Sequence, residues 1–241
     1  MAVKFSKIAV LTRCAWVGLC FCWLVFSAAQ CLALSFEETK QLAEKGDLEA
    51  QYNLGIIYNL GQGTPVDQKQ AAYWFLKAAE QGHSKAQHNL GVRYDTGHGV
   101  ELDKKQAVYW YQKAAEQGLA ESQFNLGVSY NLGEGIPVDH RLATFWFQKA
   151  AAQGHPKAQF NLGVRYEKGR GIEMDLAQAV HWYLKAAEQG DVQAQYNLGV
   201  CFYKGKGAPA DKTQAVNWFR KAAEQGLSKA QEALRIIRES K

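Results

Sequence analysis

Starting at Ala50, the chain repeats one phrase every 36 residues: Ala50, Ala86, Ser122, Ala158 and Ala194 open five copies with no insertion or deletion between them. Strict self-similarity at this period describes one supersecondary unit stacked on itself, because a unit of that length cannot bury its apolar face alone. The copies occupy nearly everything after Leu34 in a chain of 241 residues and leave no room for a separate catalytic domain. A single catalytic centre has no use for five copies of its surroundings.

Within the copy from Ala50 to Lys85, Ala50, Leu54, Ile57 and Tyr58 recur at helical spacing around Gly55, and the pattern ends at Gly61. This predicts a first helix, the A helix. Gly61 and Gly63 supply a turn, and Thr64-Pro65-Val66 then runs extended because the residue before proline avoids the α region. Asp67, Asp103, Asp139, Asp175 and Asp211 each stand just before a second apolar-periodic run. Three residues on come Gln70, Gln106, Gln178 and Gln214, with Leu142 the exception, which predicts a carboxylate N-cap on a second helix, the B helix. It runs through Ala71, Trp74, Phe75, Ala78 and Ala79 to Gly82, whose counterparts Gly118, Gly154, Gly190 and Gly226 read as C′ caps. Helices of about three turns are marginal alone, so they pair and then stack. The pattern gives close backbone approach to Gly55 and the Ala78-Ala79 pair, with Trp74, Trp110, Trp146, Trp182 and Trp218 filling the space between as core.

Both ends fit an array. Phe36 to Gly46 aligns with a B helix lacking its Trp, and Ala230 to Lys241 with an A helix in which Arg235 replaces the glycine and Arg238 the tyrosine. Polar residues there suit an end that meets no further helix. The expected fold is all-α, an α/α solenoid of five 36-residue helix-turn-helix repeats with half-repeat caps: residues 34–49 cap the N-terminus, 50–229 are the repeats, and 230–241 form a C-terminal capping helix.

Residues 1–33 differ in kind. Lys4, Lys7 and Arg13 precede the uncharged run from Cys14 to Phe26, and Ser27, Ala28 and Ala29 follow, the order of a secretory signal peptide. Cleavage after Ala29 or after Ala33 satisfies the small-residue requirement. The alternative is an uncleaved anchor, since no charge occurs from Cys14 through Phe36 and a span needs about 20 residues. Cys14, Cys20, Cys22 and Cys31 lie in or beside this leader, which leaves Cys201 alone among the repeats and no intramolecular disulfide in a cleaved chain. The expected location is periplasmic or secreted, with membrane anchoring as the alternative and any membrane contact made only through an uncleaved leader. Removing the three basic leader residues from 28 Lys+Arg leaves 25 against 23 Asp+Glu. A nearly neutral array is no nucleic-acid footprint, which needs basic residues gathered on one face.

Leu54-Gly55-x-x-Tyr58, followed by the B-helix alanines, the aromatic pair and Lys77-Ala78, resembles the tetratricopeptide pattern. The 36-residue period, the Gly-x-Gly loop and the Ala-Glu-Gln-Gly ending are similar to the Sel1-like branch of that superfamily. The resemblance implies a right-handed superhelix whose concave face is made mainly by the A helices, used as an adaptor that holds proteins or peptides. Bacterial members are often secreted, periplasmic or host-directed. Some cysteine-rich members bind or hydrolyse β-lactams, but they carry a cysteine pair in each repeat and this chain does not.

Function belongs where the copies differ while the scaffold does not. One variable column is Tyr52, His88, Phe124, Phe160 and Tyr196, expected by analogy with the family to face the groove. A second is Asn59, Asp95, Asn131, Glu167 and Tyr203, and between them lies Ile57, Arg93, Ser129, Arg165 and Cys201. Aromatic anchors beside Arg93 and Arg165 suit a protein or peptide partner. The constant column Asn53, Asn89, Asn125, Asn161 and Asn197 suits either a clamp on an extended backbone or a bond to a neighbouring turn.

No catalytic, metal or cofactor residue is assigned. The six histidines fall in five columns, and the pair His83 and His88 lacks the i, i+4 spacing of a helical metal pair. The Gly-x-Gly loops follow no strand and precede no Lys-Ser/Thr pair, so they are not phosphate loops, and His98 is one variant in a loop column. Cys201 is expected to be a partly buried structural thiol. A non-enzymatic exported scaffold is the leading expectation, and a hydrolase or binder of a cell-wall-related ligand, β-lactam or muropeptide, is the alternative.

Overall fold

The computed structural model describes residues 35–239, so the leader, its cleavage sites and its cysteines lie outside the described residues. Twelve helices and no strands make up the described part. A half repeat, α1 (Phe36–Glu44), precedes five A/B pairs: α2 (Leu48–Leu60) and α3 (Gln68–Glu80), α4 (Ser84–Thr96) and α5 (Lys104–Glu116), α6 (Ala120–Leu132) and α7 (His140–Ala152), α8 (Pro156–Lys168) and α9 (Leu176–Glu188), α10 (Val192–Lys204) and α11 (Lys212–Glu224). The A-type helix α12 (Ser228–Glu239) closes the stack, and each helix packs chiefly on its neighbours in sequence. The expected solenoid is what forms.

The caps show why the boundaries fall where they do. Asp67 Oδ1 accepts from the Lys69 and Gln70 amides at 2.9 and 3.0 Å; Asp103 and Asp139 also take two amides, and Asp175 and Asp211 take only the amide three residues on. The Asp67 N–H is bonded to the Tyr58 carbonyl at 2.9 Å. A glutamine three residues on is therefore not required to reach back, and Asp139 caps Arg141 and Leu142 at 2.8 and 2.9 Å without one. The A helices are capped less uniformly: Asp47 and Asp191 use carboxylates, His83 and His155 accept through Nδ1, and Leu119 offers no side-chain acceptor. Leu119→Asp should stabilise the protein by about 0.5–1 kcal/mol, read as a rise in urea midpoint at unchanged slope.

Packing corrects one expectation. The ring that seats on the A-helix glycine is not the tryptophan but the residue after it: a Cβ on Gly55 would lie 2.7 Å from the Phe75 ring, with Tyr111, Phe147, Tyr183 and Phe219 repeating the contact on the later copies. The tryptophans instead join copies. Trp110 packs with Ala78 and Ala79 of α3 and Ala86 and Leu90 of α4, and Trp74 bridges Ala43 to Ala50 and Leu54. One helical step from Trp74 to Phe75 turns the side chain from a between-copy position to a within-copy one.

A ladder of glutamines accompanies this apolar seam. The buried Gln87 donates from Nε2 to the Ala79 carbonyl at 3.1 Å, and its Oε1 accepts from Gln117 Nε2 at 2.7 Å, which also donates to the Gly82 carbonyl. Gln51, Gln123, Gln159 and Gln195 repeat the pattern. Each rung satisfies carbonyls at the end of a B helix, groups that would otherwise be left without partners. On α12 Arg235 is exposed and paired with Glu232 and Glu239.

Candidate functional site

The glycines, the glutamine ladder and the buried B-helix rings serve stacking, and the A helices carry variable columns. Tyr52, His88, Phe124, Phe160 and Tyr196 are all half-buried. Each lies against the aromatic ring that fills the glycine notch of its own copy, at centroid distances of 6.0, 5.9, 5.7, 6.0 and 5.6 Å in order. The contact follows from helix geometry, since position 52 stands three residues before Gly55 on the same face. Tyr52 also stacks on His83 at 4.3 Å and Phe124 on His155 at 4.7 Å, so the N-capping histidine of one copy extends the aromatic surface of the copy before it.

Two depressions run along this column. One of about 240 Å³ lies between Tyr52, His88 and Leu119, and one of about 510 Å³ between His88, Phe124 and His155. His88 and Glu121 border both, which makes them one open groove across the first four copies. Asn89 and Asn125 stand at its edge, half-buried. Asn161 turns its amide back to the Lys157 carbonyl at 2.8 Å, so the asparagine column is not uniform.

Two groove histidines are held neutral. Burial pushes His88 and His155 below the ordinary histidine range, partly opposed by the Glu121 carboxylate. His88 Nδ1 is 2.8 Å from Ser122 Oγ, and His155 Nδ1 accepts from the Ala158 amide at 3.2 Å, a bond that protonation removes. The unfolded chain, with histidine near pKa 6.5, therefore binds protons before the folded one does. Stability from these groups is complete above about pH 6.5 and is lost as pH falls toward the depressed folded values. Thermal melts at pH 7.5 and 5.5 should show a lower Tm at the acid end, and His155→Asn, which can cap without titrating, should narrow the gap.

Arg93 and Arg165 do not take the places expected of them. They are only 5 % and 3 % exposed and are tied into junctions between copies. Arg93 Nη1 donates to the Gln68 carbonyl, Gln68 Oε1 and the His98 carbonyl at 3.3, 2.9 and 3.0 Å, and Nη2 donates to Asn59 Oδ1 at 2.7 Å. Arg165 repeats this with the His140 and Arg170 carbonyls, Thr144 Oγ1 and Asn131 Oδ1. Each guanidinium also lies 5.0 Å over the phenylalanine ring of the preceding copy, Phe75 or Phe147. An arginine on the variable face of a helix reads as a ligand contact in sequence. The backward reach of its long side chain buries it here.

This arrangement exposes a second period, of two copies. Over Phe75 and Phe147 the next copy supplies Arg93 and Arg165, whereas Phe219 meets Ile237 of the last helix. Where the ring in the glycine notch is Tyr111 or Tyr183, the next copy supplies the smaller Ser129 or Cys201. The tyrosine hydroxyls donate to carboxylates of their own copies, Tyr111 to Asp95 at 3.4 Å and Tyr183 to Glu167 at 2.7 Å. Burial first, and then these carboxylates, push both phenols well above their ordinary range. Lys104 completes one junction by pairing with Asp95 and Glu134 at 2.6 and 3.0 Å. The alternation was legible in the variable columns as Phe followed by Arg and Tyr followed by a small residue, although only the contacts give it a reason.

Cys201 is buried, and burial followed by the Glu167 charge pushes its thiol up to about 11, the wrong direction for a nucleophile. His98 is exposed and contributes its carbonyl, not its ring, to Arg93. Among the described residues no cluster of three His, Cys, Asp or Glu side chains could hold a metal ion.

Comparison with known proteins places these features. A family model described as Sel1 repeat matches residues 48–83, 84–119, 120–155, 156–191 and 192–227. A protective antigen of uropathogenic Escherichia coli strains with an SLR fold superposes with TM-score 0.74 at 35 % identity, over 85 % of this chain and 52 % of that one. A Sel1 repeat protein from Oxalobacter formigenes gives TM-score 0.74 at 35 % identity, over 84 % of this chain and 58 % of its own. The Sel1-repeat-containing protein YbeQ of Escherichia coli K12 is 42 % identical over 56 residues, 23 % of this chain and 17 % of its own. The chain thus spans little more than half the length of the two solved relatives and a smaller share of the third.

Proposed function

Because the chain belongs to the Sel1 repeat family, whose members generally serve as protein-interaction scaffolds, we propose that it is an exported, non-enzymatic scaffold that holds an extended segment of a partner protein along the concave side formed by its A helices. The observation that carries the reading is the continuous groove lined by Tyr52, His88, Phe124 and His155. Half-buried rings backed by a second aromatic layer are rigid anchors that lose little entropy on binding. Asn89 and Asn125 at the rim offer amides that can pair with both the N–H and the C=O of an extended backbone.

Selection of peptides from a random 12-residue phage-displayed library on the 241-residue chain tests this, with affinities of labelled winners measured by fluorescence anisotropy. Phe124→Ala combined with Phe160→Ala should weaken the winners at least tenfold while the helical circular dichroism persists. Winners that bind the folded double variant equally well would move the site off this face. Export rests on the order of Lys4, Lys7, Arg13 and the apolar run after them. Intact mass of the chain recovered from the bacterial envelope should show a start at Gln30 or Leu34, and a retained leader would mean an anchor.

A further inference from the structure

A buried guanidinium is expensive to desolvate and is ordinarily matched by a carboxylate. Arg93 and Arg165 have none: among the described residues no Asp or Glu lies within ion-pair distance of either, and every acceptor they use is a carbonyl, an amide oxygen or a hydroxyl. Nearby acids are already engaged, Asp95 by Lys104 and Tyr111, and Glu167 by Tyr183. Burial holds both arginines below the ordinary arginine range, yet each remains charged at neutral pH.

Arg93 forms part of the wall of a pocket of about 410 Å³ on the A-helix side. Ile56, Val92 and Phe75 supply apolar wall, Asn59, Gln68 and Asn89 supply amides, and no carboxylate lines it. The bonds of Arg93 use Nη1 and one position on Nη2, so its Nε–H has no acceptor. Fully buried side-chain nitrogens without a partner are, among the described residues, only Trp110 Nε1 and Trp182 Nε1, so the Arg93 Nε–H keeps contact with solvent. Asn89 belongs both to this pocket and to the aromatic groove, which joins the two.

We propose that the Arg93 pocket is a carboxylate subsite that receives an Asp or Glu side chain of the bound peptide. This rests on the groove reading above. One cation without a neighbouring lysine matches a monoanionic carboxylate better than a dianionic phosphate.

The test uses the library winners described above. They should be enriched in Asp and Glu, and changing the critical Asp to Asn should weaken binding about tenfold to the native chain. Arg93→Gln, which keeps hydrogen-bonding capacity and removes the charge, should weaken the Asp peptide by the same factor. It should leave the Asn peptide nearly unchanged, so that the two changes together cost no more than one alone. Winners without acids, or losses that multiply independently, would overturn the subsite while leaving the groove standing. A library that yields no binder overturns the groove itself, and the subsite with it. Should Arg93→Gln not fold, the Arg93 Nε–H NMR resonance of the native chain must shift with the Asp peptide and not with the Asn peptide, and equal behaviour would refute the proposal.

Discussion

Replacing Gly135 by alanine should cost about 2–6 kcal/mol, whereas the same change at Gly63, in the equivalent loop of the first copy, should cost only about 1 kcal/mol. The two glycines have nearly the same backbone, φ +72° and +74°, so the intrinsic penalty for a side chain is shared. Their surroundings differ. A Cβ on Gly135 would overlap the carbonyl oxygen of Lys104 at the start of α5 and come within 2.9 Å of the Lys105 nitrogen. Around Gly63 the nearest atom among the described residues is Phe36 Cβ at 3.7 Å. The loop glycine is thus the point where one copy rests on the backbone of the last. Backbone cannot move aside without parting the copies, and in a linear array that weakens one interface selectively. Urea unfolding of Gly135→Ala should become broad or biphasic as the segments on either side of the lesion uncouple. Equal single transitions in the two variants would refute this account of the loop.

Gln123→Leu is the second large effect expected, about 2–4 kcal/mol, or a fall in Tm of roughly 5–15 °C. Leucine matches glutamine in size, and the site is only 4 % exposed, so an apolar residue would normally be tolerated. What is lost is a relay: Gln123 Nε2 donates to the Ala115 carbonyl at 3.1 Å and Oε1 accepts from Gln153 Nε2 at 2.8 Å. Leucine leaves that carbonyl without its bond and half of the Gln153 relay open at the junction between α5, α6 and α7. Gln106→Leu, at an exposed position on α5, gives the baseline and should change stability by under about 0.5 kcal/mol. A scan of both variants by calorimetry would separate polar satisfaction from volume.

The two comparisons also mark what can be read without coordinates. The aspartate caps and the glycine ends were legible because capping is local: a carboxylate reaches amides two and three residues away whatever surrounds the helix. The glutamine ladder was present as the unchanging column Gln51, Gln87, Gln123, Gln159 and Gln195, each beside an aromatic or histidine position that varies. An invariant polar residue on an apolar face announces a buried bond, although its partner 8 residues back in sequence is reached only across a turn. In the candidate site, Tyr52, His88, Phe124, Phe160 and Tyr196 lie half-buried against the rings in the glycine notches of their copies. The burial of Arg93 and Arg165 between copies was not legible, because several rotatable bonds let an arginine leave the face its Cα occupies.

Sequence alone determined the class of the fold and the number of copies, because a 36-residue period fixes what can stack on what. The tertiary structure decided which ring enters the glycine notch, where the loop glycine meets the backbone of the copy before it, and which charges are matched. Those depend on distances between segments 16 to 35 residues apart, set by how one helix pair sits on the next. A buried cation with no carboxylate beside it is a property of that seating, and no single copy of the repeat contains it.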